Sequence, residues 1–356
     1  MGKAGDMEKK DKRYLGAGAA FLGVAVLLKV GARSIPGFAD GYVHSVYRGI
    51  VGTFGWIFDL FPFSVVEIGL YGLIFAALLY IGWNFRKPMA VACRGVFLAG
   101  VLLFLYVSNC GINYHGMAFS QYSGLKPEPG TLEELTELCR YLTKQVNDWA
   151  PDEENGKEYQ YRKNRQTWRQ AAVEAMAAAG EEFPALAGYY PKPKEVAVSW
   201  ILSVQQLCGI YSPFTVEANY NGDMPDYNVP HTMCHELSHL KGFMREDEAN
   251  FIGYLACISS KEPAFCYSGY LTGWVYAGNA LAAADPEVYW ELAGKLCDRA
   301  RQDLAENNAF WGQYEGAVAE AASQWNDAYL KMNDQKEGVR SYGRMVDLML
   351  AYELGK

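Results

Sequence analysis

The chain has 356 residues, room for two or three domains, and a formal net charge of −8. That charge is unevenly placed: up to Cys110, 11 Lys/Arg stand against 6 acidic residues, whereas the remaining 21 basic and 34 acidic residues leave −13. An apolar, weakly basic head on an acidic body excludes a nucleic-acid binder, which would carry a basic face.

Crossing the hydrocarbon of a bilayer takes about 20 mostly apolar residues. Three stretches meet this and are expected to be transmembrane helices. The first covers about 14–32 and is broken only by Lys29 near one end, where the side chain can snorkel. The second covers about 61–85 with Glu67 as its one charge, and the third covers about 95–113 with none. Between the first two, about 42–60, Val43, Val46, Tyr47, Ile50, Val51, Phe54 and Phe58 follow a helical period, while His44, Arg48 and Asp59 make the other face polar. That segment reads as an interfacial helix. Lys9, Lys10, Lys12 and Arg13 precede the first span as they would in a signal peptide. The apolar run is long, however, and no small-x-small cleavage pattern follows it, so it reads as a retained anchor. Glu67 lies one or two turns inside its span, where headgroup water is near, and reads as solvated rather than functional.

Basic residues near spans mark the cytoplasmic side. The Lys9–Arg13 cluster and the Arg86-Lys87 loop share that side if the N-terminus is inside, and everything beyond about Ile112 is then extracytoplasmic. The expected organisation is a multi-pass membrane domain at 1–113, a linker at 114–130 stiffened by Lys126-Pro127-Glu128-Pro129, and an extracytoplasmic domain at 131–356.

In the body, Thr131-Leu-Glu-Glu134 is a capping box that should start a helix running to about Trp149. A second helical stretch ends near Gly180, and Tyr189–Lys194 is a breaker-rich loop. Phe214–Tyr220 alternates and is expected as a strand between Pro213 and Asn221-Gly222. From Pro230 on, the pattern is helical with breaks near Gly242, Pro263, Asp285-Pro286 and Gly338. The fold class is mainly α with a small sheet. Cys93 and Cys110 fall in or beside the third span. Cys139, Cys208, Cys234, Cys257, Cys266 and Cys297 lie in the body with no CxxC spacing, and they read as small core residues rather than a disulfide framework.

The chemistry concentrates at His235-Glu236-Leu237-Ser238-His239. Helical spacing puts His235 and His239 on one face, about 5–6 Å apart, where two imidazoles can share a tetrahedral metal. Glu236 beside them is placed to act as a base on a water. Lys241-Gly242 ends this helix, and a second opens with Arg245-Glu246-Asp247-Glu248-Ala249-Asn250. A tight helical hairpin would return one of those carboxylates to the histidines as a third ligand. The upstream Phe214–Tyr220 strand would offer an edge to an extended peptide. His231, one turn before His235, would line the cleft or sit solvated at the helix start. Cys234 points about 100° away from His235 and belongs to the core.

His235–Asn250 resembles the gluzincin pattern of zinc peptidases, HExxH followed by Glu-x-x-x-Asp/Asn at the start of the next helix. The resemblance implies Zn²⁺ held by His235, His239 and Glu246, with Glu236 as general base and Asn250 orienting a ligand histidine. Asn in place of Asp lacks the full negative charge on that contact, and Glu248 stands as the alternative ligand. Zinc peptidases of this kind often use a Tyr, His or Arg to stabilise the tetrahedral intermediate, which singles out Tyr342, Arg340 and Arg344 as cleft candidates. Through Tyr211–Asn219 and Gln335–Arg344 as well, the chain resembles an uncharacterised bacterial membrane family (domain of unknown function 3810), nearly end to end. The expectation is therefore a membrane-anchored zinc metallopeptidase with a zincin-like domain, acting on peptides or protein segments near the bilayer. The rival readings are a zinc-containing receptor or assembly protein without turnover, and a zinc hydrolase of a cell-wall amide.

Overall fold

The computed structural model describes residues 8–151, 165–333, 335 and 343–355, and they are mainly helical. They form two compact units. One holds the chain up to Gly116 together with the returning loop Ser212–Glu217, and the other holds Met117–Tyr211 and the chain from Ala218 on.

In the first unit three helices are long and apolar enough to cross a membrane. They are α1 (Lys9–Ser34), α2 (Val65–Trp83) and α3 (Pro88–Tyr106), the last continuing through wide and tight turns to His115. The 19 residues of α2 extend about 28 Å at 1.5 Å per residue, close to the hydrocarbon thickness. Each helix differs from its expected bounds at the ends, where charged residues and a Pro at N1 still fit a helix: α1 begins at Lys9 and α3 at Pro88. The segment expected to be interfacial is helical from Phe38 to Asp59, alternating α and π turns, with Ala39, Tyr47 and Val51 buried.

Small residues let α1 and α3 touch backbone to backbone, the usual device where lipid tails supply no hydrophobic drive between helices. A Cβ on Gly18 would lie 2.8 Å from the Phe97 main chain, and one on Gly100 would lie 2.5 Å from Gly18 O. One end of the pair is fixed by Arg94 Nη1 to Asp11 Oδ1 at 2.8 Å. The free N–H groups of α2 are met by Glu217, whose carboxylate accepts from Val65 N at 3.1 Å and Val66 N at 2.8 Å, an anion at a helix N-terminus. Asn109 Nδ2 donates to Pro213 O at 2.7 Å, so the loop Ser212–Glu217 is held at both ends. Glu67 sits in the first turn of α2 and accepts from Tyr71 Oη at 3.0 Å.

The second unit opens earlier than the expected linker allows. Residues 119–123 form α4 (Phe119–Ser123), and Phe119, fully buried, packs on Phe183, Phe243 and Phe251 with ring centroids 5.5, 5.4 and 6.1 Å away. Burying such a side chain stabilises by roughly 1.5–3 kcal/mol, enough to draw the first part of a supposed linker into the core. The capping box forms as expected: Glu134 N donates to Thr131 Oγ1 at 3.2 Å and Thr131 N to Glu134 Oε2 at 2.8 Å, opening α5 (Leu132–Trp149). There follow α6 (Arg165–Glu182), β1 (Lys194–Val196), β2 (Gly209–Ser212), β3 (Glu217–Asn221), α7 (Asn228–Lys241), α8 (Glu246–Ile258) and α9 (Pro263–Ala284). Beyond them lie α10 (Pro286–Ala293), α11 (Asp298–Gly312), α12 (Ala317–Met332) and α13 (Gly343–Glu353). The apolar α9 is the central post, packed by α5, α7 and α8.

The sheet has the order β1-β3-β2, with β1 parallel to β3 and Lys194 opposite Asn219. The expected strand Phe214–Tyr220 is corrected on two counts. Its first part is loop, with Val216 in the left-handed region at φ 52°, and the strand proper is Glu217–Asn221. That strand is central, and all five of its residues are buried. It therefore has no free edge for a peptide, and β1 and β2 are the outer strands. The break expected near Gly338 lies outside the described residues.

Candidate metal centre

α7 ends because Gly242 adopts φ 112°, a left-handed conformation that glycine reaches without a Cβ penalty. Gly242 N then donates to His239 O at 2.9 Å and Phe243 N to Ser238 O at 3.1 Å, closing the helix end. The chain reverses within a few residues, and the first turn of α8 returns beside the C-terminal half of α7.

This hairpin brings His235, His239 and Glu246 together, with one ligand atom of each within 4.8 Å of the others. Glu246 Oε2 is 3.4 Å from His235 Nε2, and Glu246 Oε1 is 3.6 Å from His239 Nε2. Both separations exceed the 2.7–3.2 Å of an ordinary N–H···O bond. They match the roughly 3.4 Å between neighbouring ligand atoms when each lies about 2.0–2.1 Å from a tetrahedral zinc. His239 Nδ1 is 2.8 Å from Phe243 O, a contact that puts the proton on Nδ1 and turns Nε2 toward the cluster. The residues fit a zinc-type cation.

The electrostatics follow from burial and crowding. Burial opposes a charge on His239, but Glu246 outweighs it and lifts the imidazole to about 9. Burial likewise pushes Glu246 up, yet His239 and His235 hold its carboxyl far below the usual range. Glu236 is 4% exposed and is raised by burial to about 7 against the pull of the two histidines. Its Oε2 is buried without a hydrogen-bond partner among the described residues. Its other oxygen lies against β2, where Gly209 makes room: a Cβ there would fall 2.5 Å from Glu236 Oε1 and 2.8 Å from Asn219 O. A buried carboxyl with one oxygen orphaned, and a pKa near neutrality, has the properties of a proton acceptor.

The family described as "Protein of unknown function (DUF3810)" matches residues 42–350, most of the chain and all of the cluster. The chain belongs to this family. No curated protein and no solved structure matches it.

The remaining site candidates separate cleanly. Glu248 turns away from the histidines: its Oε1 accepts from Phe119 N at 2.9 Å, capping α4, and from Arg245 Nη1 at 3.2 Å. It is not in the cluster, because a donor 129 residues away in sequence fixes its direction. Asn250 reaches a histidine through its main-chain carbonyl rather than its side chain, and that histidine is His231, at 3.0 Å from Nε2. His231 is buried, not solvated, and burial with the neighbouring His235 lowers it to about 3. Arg344 is exposed at the start of α13, near enough to Asp247 to pull its carboxyl down, although burial wins and the Asp247 pKa is raised. Tyr342 and Arg340 lie outside the described residues. Cys234 is buried in the core, as are Cys139, Cys257 and Cys266.

Two features escaped the sequence. β2 is a four-residue strand whose signal was the Ile210-Tyr211 pair between Gly209 and Pro213. Gly209 itself signals a close approach, which a glycine inside a strand often marks. A separate cavity of about 750 Å³, lined by Asp223, Asp226, Arg299, Asp303 and Glu306 among others, includes none of His235, His239 or Glu246. Arg299 and Asp303 pair with each other at 2.7 Å within it.

Proposed function

We propose that this protein is a membrane-anchored, zinc-dependent peptidase with a zincin-like site. The observation that carries the reading is the spacing of Glu246 from His235 and His239, 3.4 and 3.6 Å, longer than ordinary N–H···O bonds and right for a shared tetrahedral ion. Zinc held by these three side chains would supply Lewis acidity and lower the pKa of a water to about 7. Glu236 accepts the proton of the attacking water at its orphaned oxygen and delivers it to the leaving amine nitrogen. His239, turned by Phe243 O, and Glu246, carried by the first turn of α8, keep their ligand atoms on the cleft side.

Peptides are favoured over other amides by β2. It is one of the sheet's two outer strands, and its Gly209 lies against Glu236. An extended chain laid along that edge by main-chain hydrogen bonds would pass the base. The three apolar helices and the basic residues at 9–13 and 86–87 support a multi-pass protein with its site outside the cytoplasm. Reporter fusions after Lys87 and after Gly130 should read cytoplasm and exterior, and the same compartment for both would overturn that orientation. The function itself is tested by metal analysis of the detergent-solubilised protein together with a peptide-library digest. One zinc per chain and chelator-sensitive cleavage are expected. A protein that holds zinc yet cleaves nothing would be a binding module.

A further inference from the structure

Zinc ligation and proton transfer give no task to His231, although it is a buried histidine on the same helix face as His235 and His239. Its Nε2 lies 3.0 Å from Asn250 O. A carbonyl only accepts, so Nε2 carries the proton and is spent on this contact. Asn250 stands one turn after Glu246 on α8, and His231 stands one turn before His235 on α7. The contact is therefore the layer of the helix pair directly behind the ligands.

Two neighbouring observations show how tightly that layer is built. A Cβ on Gly253 would lie 3.1 Å from His231 Nε2, 3.3 Å from His231 O and 3.3 Å from His235 N, so the two helices meet almost main chain to main chain. His231 N donates to Ser268 Oγ at 3.1 Å, and Ser268 Oγ donates to Tyr227 O, which pins the first turn of α7 to α9. By contrast, Glu246 is the first residue of α8, and first turns fray unless held.

We infer that His231 is a positioning residue of the metal centre: its ring N–H, clamped on the Asn250 carbonyl, fixes the rotation and height of α8 against α7 and so carries Glu246 to His235 and His239. The inference rests on the metal-centre reading above. A helix transmits such a clamp rigidly over one turn, about 5.4 Å. Asn250 O also remains the intrahelical acceptor for the residue four positions on, so removing the clamp does not orphan a buried carbonyl. The expected loss is of position rather than of fold.

The test measures zinc affinity of the full-length, detergent-solubilised protein by competition with a chromophoric chelator, and ligand geometry by the visible spectrum after cobalt substitution. His231→Leu should weaken zinc about 10–100-fold, the range for residues that hold metal ligands in place, and should alter the cobalt bands. His231→Gln, which can place an amide N–H near the Nε2 position, should recover most of that loss. A folded Leu variant with wild-type affinity and spectrum overturns the inference, and so does a Gln variant as weak as Leu. Should the Leu variant not fold, the Gln variant decides alone: affinity near wild type supports the clamp, and a loss of tenfold or more overturns it. A wild-type protein that binds no zinc removes the metal centre itself, an outcome distinct from all of these.

Discussion

The two layers of the α7–α8 helix pair are built from the same materials and do opposite things. In the layer nearest the turn, Glu246 stands 3.4 Å from His235 and 3.6 Å from His239, and a buried carboxylate oxygen of Glu236 has no hydrogen-bond partner among the described residues. One turn back, His231 closes on Asn250 O at 3.0 Å and Gly253 removes the last space between the helices. Buried polar groups are normally paired, so the open layer is held in a costly arrangement while the closed one is satisfied. The difference teaches where to look for chemistry. A buried histidine whose Nε2 is spent on a carbonyl is scaffold, and histidines whose Nε2 atoms face one shared carboxylate are a candidate site.

The comparison is broken most directly at Glu236. Glu236→Gln keeps the shape and removes the base, so hydrolysis by the zinc-loaded protein should fall by about 10²–10⁴-fold while zinc content stays at the wild-type level. Steady-state kinetics on a cleaved library peptide, read with metal analysis, check this. Retained zinc with unchanged turnover would falsify the proposed role.

Glu246→Gln attacks the open layer at its third ligand. A change behind the ligands typically costs 10–100-fold in metal affinity, so a change to a ligand should cost more than about 100-fold. Chelator competition measures it directly, and cleavage should fall in parallel because the cation is gone.

How far this contrast could be read from sequence depends on how local its causes are. His235, Glu236 and His239 were legible because a helix needs only i,i+4 spacing to place them. The turn was legible because Gly242 is a helix-ending residue, and the structure gives it φ 112°. Glu246 and Glu248 share one helical turn and both face protein, so no local rule separates them. Phe119 N separates them, from the far side of the second unit's sequence. A small sheet was legible, but its strand β1 was not, for a similar reason: β1 has three residues, and its partner Asn219–Asn221 lies 25 residues on. The apolar helices were legible in number and placement, since length and composition suffice for a membrane span. The return of Ser212–Glu217 to their unit was not, because it hangs on Glu217 meeting the N-terminus of α2 and on Asn109 meeting Pro213 O.

A smaller effect is expected at the wall of the open layer. Gly209→Ala would place a methyl 2.5 Å from Glu236 Oε1, 2.8 Å from its Cγ and 2.8 Å from Asn219 O, and neither the strand carbonyl nor the buried side chain can yield freely. Overpacking of this kind costs about 1–3 kcal/mol. The variant should melt several degrees lower and hydrolyse more slowly, with zinc affinity unchanged because no ligand is touched. A melting temperature equal to wild type would show that Glu236 moves aside at little cost.

The smallest effect is expected two residues from Glu246. Glu248 is buried like Glu246 and lies in the same first turn, yet its oxygen is occupied by Phe119 N at 2.9 Å and Arg245 Nη1 at 3.2 Å. Glu248→Gln keeps an acceptor for Phe119 N and removes only the charge opposite Arg245. A neutral hydrogen bond contributes about 0.5–1.5 kcal/mol and one to a charged group about 1.5–3, so the loss of stability should be about 1 kcal/mol. Zinc affinity should stay at the wild-type level, because the side chain points to α4 and not into the cluster. The pair Glu246→Gln and Glu248→Gln is therefore a test of direction, since each replaces one carboxyl of the same helical turn by an amide. If the acidity of the turn alone attracted the cation, both variants would lose zinc to a similar degree. If the effects came out reversed, Glu248 would be the ligand and α8 would have to rotate by about half a turn, which the Gly253 contact forbids.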